Sequence, residues 1–434
     1  MRYAAVILSL LLLLSLTACR AQQDHLPESA VSSGTSAEPE EAEDTAPVSV
    51  RLITGVIGPN SETASAQGYY RLLSKSGYSD SGCNLFYTDL ATCTEHILCS
   101  VPGCAHSGET CPAWFPISYG MLFMNSDHTV LYCIGNTEAG MSLWRMHPDG
   151  SARTLVYQCR AGEMFSGAVA SDGENLYLGL NDRNRSYPDS TLTLLCIRER
   201  EGAVTKARYL FPYDVTSSLF SAFDNVLAFS KAAGEEMFGC ELYDLSTGER
   251  REIRCGNGEV FSGRFLCASA SGELLYLFEY TAGDRMNVLE FDMRTGEVRL
   301  LNDTLPYFGD DCVLVTGIWD GKLCVQIADT RAGVPELVHH YQYWVDCGTG
   351  EVTETTLTYQ QGALRLFVSV LAEYEDRFLV QSGCRQIPAA GDGSTASDNG
   401  DAVILPVYSV ISKSDYFSNN PIYREIQTAE FPWG

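Results

Sequence analysis

The chain of 434 residues carries 29 Lys and Arg against 55 Asp and Glu, a formal net charge of −26, with 45% hydrophobic residues and 16 cysteines. Such an acidic surface repels phosphate backbones, so nucleic acid is excluded from the expected partners, and the acidity is read first as the solubility device of an exported protein. The length exceeds the ~250–300 residues that a single hydrophobic core serves, which calls for two domains or a repeat.

Met1-Arg2 is a minimal basic start, Tyr3 to Leu16 is apolar, and Leu16-Thr17-Ala18-Cys19 ends the run. The run is shorter than the ~20 residues of a spanning helix, and small residues precede the cysteine, so residues 1–18 read as a signal peptide removed before Cys19. The four residues resemble the bacterial lipobox. That resemblance implies a lipid on the Cys19 sulfur and a protein held through it at the extracytoplasmic face of a bacterial cell envelope. A plain secretory signal with Cys19 unmodified is the alternative.

Residues 19–49 form the next segment, rich in Ala, Ser, Glu, Pro and Thr and most acidic at Glu38-Pro39-Glu40-Glu41-Ala42-Glu43-Asp44. It buries too little apolar surface to offset the entropy of ordering, and reads as a solvated linker about 30 Å in average span. Val50 to Ile57 is an apolar strand, expected to complete the first or last sheet of the domain that fills residues 50–434.

Residues 99–115 hold the densest constellation: Cys99, Cys104, His106 and Cys111 fall within thirteen positions, between Pro and Gly residues that demand a looped backbone. Three thiolates and an imidazole are the set that closes a tetrahedral zinc shell, and a closed shell is structural. Disulfides among Cys99, Cys104 and Cys111, with Cys83 and Cys93 close by, are the main alternative for an exported chain. Setting Cys19 aside leaves an odd number of cysteines, so a complete disulfide framework is excluded. Cys196, Cys267 and Cys324 sit in apolar strand patterns, where cysteine serves as a small hydrophobe.

Beyond this stretch one unit recurs about every 45–60 residues, a period typical of propeller blades. Its first half is strand, Asp- or Gly-containing turn, strand, as at Asn125–Tyr132, Ser171–Leu178, Phe223–Phe229, Ala270–Leu277, Trp319–Val325 and Glu375–Val380. Its second half is a strand ending in Asp and a Thr-Gly-Glu turn, clearest at Asp244-Leu245-Ser246-Thr247-Gly248-Glu249, Asp292-Met293-Arg294-Thr295-Gly296-Glu297 and Asp346-Cys347-Gly348-Thr349-Gly350-Glu351. Looser copies are Phe86–Asp89, Trp144–Gly150 and Ile197–Gly202, and Tyr408–Ser412 stands in the same place in the last unit. These features predict an all-β chain folded as a β-propeller of seven four-stranded blades, with six or eight as alternatives.

Residues 386–402 interrupt the final unit with a low-complexity loop that lacks the spacing of a calcium loop. His339 and His340 are adjacent on a strand and should face opposite sides. The sequence holds no Gly-x-Ser-x-Gly elbow, His-Glu-x-x-His or phosphate-binding Gly loop.

The lipobox, the acidic spacer, Tyr87-Thr88-Asp89 and the stretch Leu98-Cys99 … Pro102-Gly103-Cys104-Ala105-His106 … Cys111-Pro112-Ala113-Trp114-Phe115 resemble a group of uncharacterised bacterial surface lipoproteins with TolB-like or generic propellers. The resemblance implies a surface-exposed propeller and supplies no reaction. The expected function is a ligand-binding or protein-interaction scaffold, its ligand a peptide, glycan or protein. A propeller hydrolase or lyase acting on extracellular polysaccharide or peptide is the rival.

Overall fold

A computed structural model describes residues 49–428 apart from 55–61, 66–67, 75–81, 118–119, 183–190, 213–217, 235–236, 262, 270, 282–283, 309–312, 330–338, 363 and 388–402. The leader, Cys19, the linker as far as Val48 and the 386–402 loop beyond Ile387 therefore lie outside the described residues.

The repeat folds as read. Four antiparallel strands form each blade, and each successive strand lies farther from the axis. Blade two is Gly120–Met124, Leu131–Thr137, Gly140–Met146 and Thr154–Gln158; blade three is Glu163–Ser171, Asn175–Asp182, Thr191–Arg198 and Val204–Pro212. Blades four, five and six begin at Leu219, Arg264 and Val313 and end at Glu252, Pro306 and Thr355. Blade seven is Ser369–Tyr374, Arg377–Ile387, Val403–Ser412 and Arg424–Glu425, with the short helix Lys413–Phe417 in its last turn. Blade one, the least regular in sequence, is a full blade of Glu62–Ala64, Gly68–Ser74, Cys83–Asp89 and Thr94–Ile97. A hairpin, Thr358–Gln361 with Leu364–Phe367, stands between blades six and seven.

The second-half turn forms because a carboxylate replaces missing backbone partners. Asp244 Oδ1 accepts the amide N–H of Ser246 (2.8 Å) and Thr247 (2.9 Å), and Asp346 Oδ1 accepts those of Gly348 (3.0 Å) and Thr349 (2.8 Å). The residue four beyond the Asp then adopts a left-handed conformation, at Gly248, Gly296 and Gly350 with φ of 73°, 76° and 75°. Cys93 does the same in blade one with φ 58°, which explains why no Gly marks that turn.

The core lies in the seams between blades. One apolar cluster joins blades one and two through Phe86, Phe115, Leu131 and Met146, and comparable clusters follow at each later seam. The last joins Tyr69, Leu90 and Cys93 to Leu379, Tyr408 and Ile426, so the ring closes. Closure is completed from outside: Gln427–Thr428 runs parallel to Thr94–Glu95 on the outer edge of blade one.

The N-terminal strand corrects one expectation. Arg51–Thr54 completes neither the first nor the last blade; it pairs antiparallel with Glu163–Ser171, the innermost strand of blade three, and so stands inside the central channel. Its apolar side chains account for this. Val50 and Leu52 join the cluster between blades three and four, and Ile53 joins the one between blades two and three.

Candidate metal centre

The Cys/His stretch is an insertion that splits the outer strand of blade one. Thr94–Ile97 pairs with Phe86–Asp89, the chain loops out, and Trp114–Phe115 resumes the same edge opposite Cys83 and Asn84. Backbone bonds close the base of the loop, from the Leu98 N–H to the Leu85 carbonyl at 2.9 Å and from the Leu85 N–H to the Ala113 carbonyl at 2.7 Å. Asn84 Nδ2 donates to the His106 carbonyl at 2.8 Å, and Arg153 of blade two donates to the Pro112 carbonyl at 3.2 Å with its guanidinium 4.7 Å from the Phe115 ring centre.

Within the loop there is little apolar material. Val101, Pro102, Gly103, Ala105, Ser107, Glu109 and Thr110 are exposed, whereas Cys111 is fully buried. Gly103 (φ 71°), Gly108 (φ 83°) and His106 itself (φ 53°) take left-handed conformations that reverse the chain between the candidate donors. As a result the Cys99, Cys104 and Cys111 sulfurs and a His106 ring nitrogen lie within 4.8 Å of one another. A tetrahedron with ~2.3 Å metal–sulfur bonds has edges of about 3.8 Å, so small side-chain adjustments bring all four donors onto one ion. The residues fit a closed Cys₃His site.

Electrostatics divide the thiols. The His106 backbone N–H, 3.4 Å from the Cys104 sulfur, holds that thiol below its ordinary range, with Cys111 and Cys99 adding to the effect. Burial pushes the Cys111 thiol up to about 12. Cys111 Sγ also lies 3.6 Å from His106 Nδ1. Each described cysteine, these three included, carries a free thiol.

The other sequence candidates do not converge. His339 and His340 begin the third strand of blade six and are both exposed. Cys324 is buried as expected, while Cys196 and Cys267 are only partly so.

Two constellations were not visible in the sequence: Arg71 stands out as a charge inside an apolar run, but Glu199 is hidden in the charged run Arg198-Glu199-Arg200-Glu201. At the closing seam, buried Arg71 meets buried Glu95 through Nε–Oε1 (2.5 Å) and Nη2–Oε2 (2.6 Å), with its guanidinium 4.4 Å from the Tyr408 ring centre. Glu62 accepts the hydroxyls of Tyr69 (2.5 Å) and Tyr408 (2.6 Å), and burial, reinforced by Glu62, raises both phenols well above their ordinary value. Between blades two and three, buried Glu199 accepts the Ser126 N–H (3.3 Å) and hydroxyl (2.7 Å) and the Ser171 hydroxyl. Both groups join blades.

Fold and site together define a seven-bladed β-propeller bearing a Cys₃His cluster on the rim of its first blade. No protein-family model matches the sequence, and no curated protein matches it. Solved structures similar to it include an oligogalacturonate lyase in complex with manganese, at 14% identity and TM-score 0.48 over 85% of this chain and 92% of that one. An acylaminoacyl peptidase from Pyrococcus horikoshii is similar at 10% identity and TM-score 0.49, and this chain spans about half of it, 85% against 52%. The β-propeller domain of the Trilobed protease from Pyrococcus furiosus is similar at 8% identity and TM-score 0.44, over 87% and 98%. At these identities the likeness is one of fold.

Proposed function

We propose that this protein is a lipid-anchored extracytoplasmic scaffold whose propeller presents its loops to a peptide, glycan or protein partner, with zinc at Cys99, Cys104, His106 and Cys111 as a structural pin. The observation that carries the scaffold reading is the strand in the channel. Propellers that process a ligand on their axis need an accessible channel wall, and here Arg51–Thr54 covers the inner strand of blade three while Val50 donates its N–H to the Asp224 carbonyl of blade four. Surface loops are then the place for recognition. For the metal, the supporting observation is convergence of the four donors where the loop has no core of its own. With every coordination position filled by protein, the ion crosslinks and does not activate water.

The anchor is tested by growth with labelled palmitate: incorporation into the wild type and its loss in Cys19→Ser supports the reading. Elemental analysis of protein purified anaerobically without added metal tests the pin. About one zinc per chain, lost in His106→Ala, supports it, and metal-free protein lacking two free thiols replaces it with a disulfide. Turnover of a polysaccharide or peptide by the wild type would move the protein into the enzyme class.

A further inference from the structure

The strand in the channel fixes where the linker begins. Arg51 stands opposite Ser171 and Thr54 opposite Val169, so the N-terminal end of the strand lies at the end of Glu163–Ser171 that leads into its first turn, Ser171–Asn175. Two further contacts tie the same end to equivalent turns of the neighbouring blades. The Val50 N–H donates to the carbonyl of Asp224, in the turn between Leu219–Phe223 and Val226–Gly234, and Arg51 Nη2 donates at 3.1 Å to the carbonyl of Ser126, in the turn between Gly120–Met124 and Leu131–Thr137. Inner strands of a propeller all run the same way along the axis, so these three turns ring one mouth of the channel. Val50 is buried there and Ser49 is exposed.

We propose that this mouth faces the membrane. The inference rests on the anchor reading above and adds an orientation to it. Ser49 and Val50 stand at the mouth ringed by the inner turns, and Cys19 lies 31 residues ahead of Val50 in the sequence. A coil of about 30 residues spans roughly 30 Å, so one joined near the axis would reach the bilayer without rounding the rim. The inverted orientation requires the linker to stretch past a blade, which lowers its entropy. The face built from the hairpins between second and third strands, such as Thr137–Gly140, therefore turns outward.

The test uses the full lipidated chain in phosphatidylcholine vesicles that carry a headgroup energy-transfer acceptor. A donor dye is attached through an encoded azide, avoiding the native cysteines, either at exposed Ser271 in an inner turn of blade five or at exposed Glu138 in the outward hairpin of blade two. Transfer from position 271 should exceed that from position 138 by about twofold or more, given the span of the linker. Equal or reversed transfer, with the wild type floating on vesicles and Cys19→Ser sedimenting, overturns the orientation alone. Failure of the wild type to float overturns the anchor reading and the orientation with it.

Discussion

Glu199 shows what one residue can do in a ring of blades. Its side chain belongs to blade three, yet it accepts both the N–H and the hydroxyl of Ser126 in blade two. Glu199→Ala strands these half-buried donors and the buried Ser171 hydroxyl and should cost roughly 2–4 kcal/mol, read as a fall in the urea midpoint, with Glu199→Gln recovering part of it. Gly350 acts by absence: a Cβ there would stand 1.9 Å from the Leu301 carbonyl oxygen of blade five, on a backbone with φ 75°. Gly350→Ala should therefore destabilise by about 3 kcal/mol or more, measured the same way. Asp127 supplies a pH signature. The Thr129 hydroxyl, and after it Arg200 of blade three, hold its carboxyl down to about 2. Because this lies below the ~3.9 of an unfolded Asp, its contribution is fully present above pH ~4 and is lost as pH falls towards 2. Asp127→Asn should flatten that part of the acid limb of a stability–pH curve.

Among the elements, the outer edge of blade one is the one that depends on other parts of the chain. Its strand is split by the Cys/His loop and then covered by Gln427–Thr428. With the proposed zinc in place, a chelator should free the loop and speed hydrogen exchange at the Leu85 amide, which bonds to Ala113 at the loop's base. A cluster held by disulfides would leave that exchange unchanged by the chelator and accelerated by reductant. The C-terminal segment is the second support. Ending the chain after Tyr423 removes Arg424–Glu425 from blade seven and Gln427–Thr428 from blade one, along with the Arg424 hydrogen bond to the Thr92 carbonyl at 2.9 Å. The truncated protein should melt several degrees lower, as a loss of a few kcal/mol in so large a domain implies.

For the whole molecule, stability is shared by seams. Each blade packs on two neighbours, and cross-blade ion pairs recur in one placement, from a first turn to the last turn of the following blade: Asp127 with Arg200, Asp224 with Arg294, Asp320 with Lys413. Exposed pairs of this kind are worth at most about 1 kcal/mol each, so they set alignment more than stability. The apolar clusters dominate, through side chains such as Phe229, Phe291 and Trp344 that are fully buried between blades. Since closing the ring leaves no terminal blade with one neighbour, unfolding should appear as a single calorimetric transition, and the truncation after Tyr423 should broaden it.

The blades were legible in the sequence because their signals are local. An Asp that bonds the amides two and three residues ahead, followed by a Gly in the left-handed region, needs nothing from the rest of the chain, and alternation of apolar residues needs only a buried seam. The Cys/His cluster was legible for the same reason, since Cys99, Cys104, His106 and Cys111 fall within one short loop that brings their donor atoms together. Blade one was harder to recognise because Cys93 takes the place of the Gly and the loop divides its outer strand. The seat of Val50–Thr54, the closing strand at Gln427 and the burial of Arg71, Glu95 and Glu199 were decided only by the tertiary structure. A short apolar strand can pair with any open edge of matching shape, and a charge can be buried only where its partners arrive. Both depend on segments far apart in the chain that closure of the ring alone brings together.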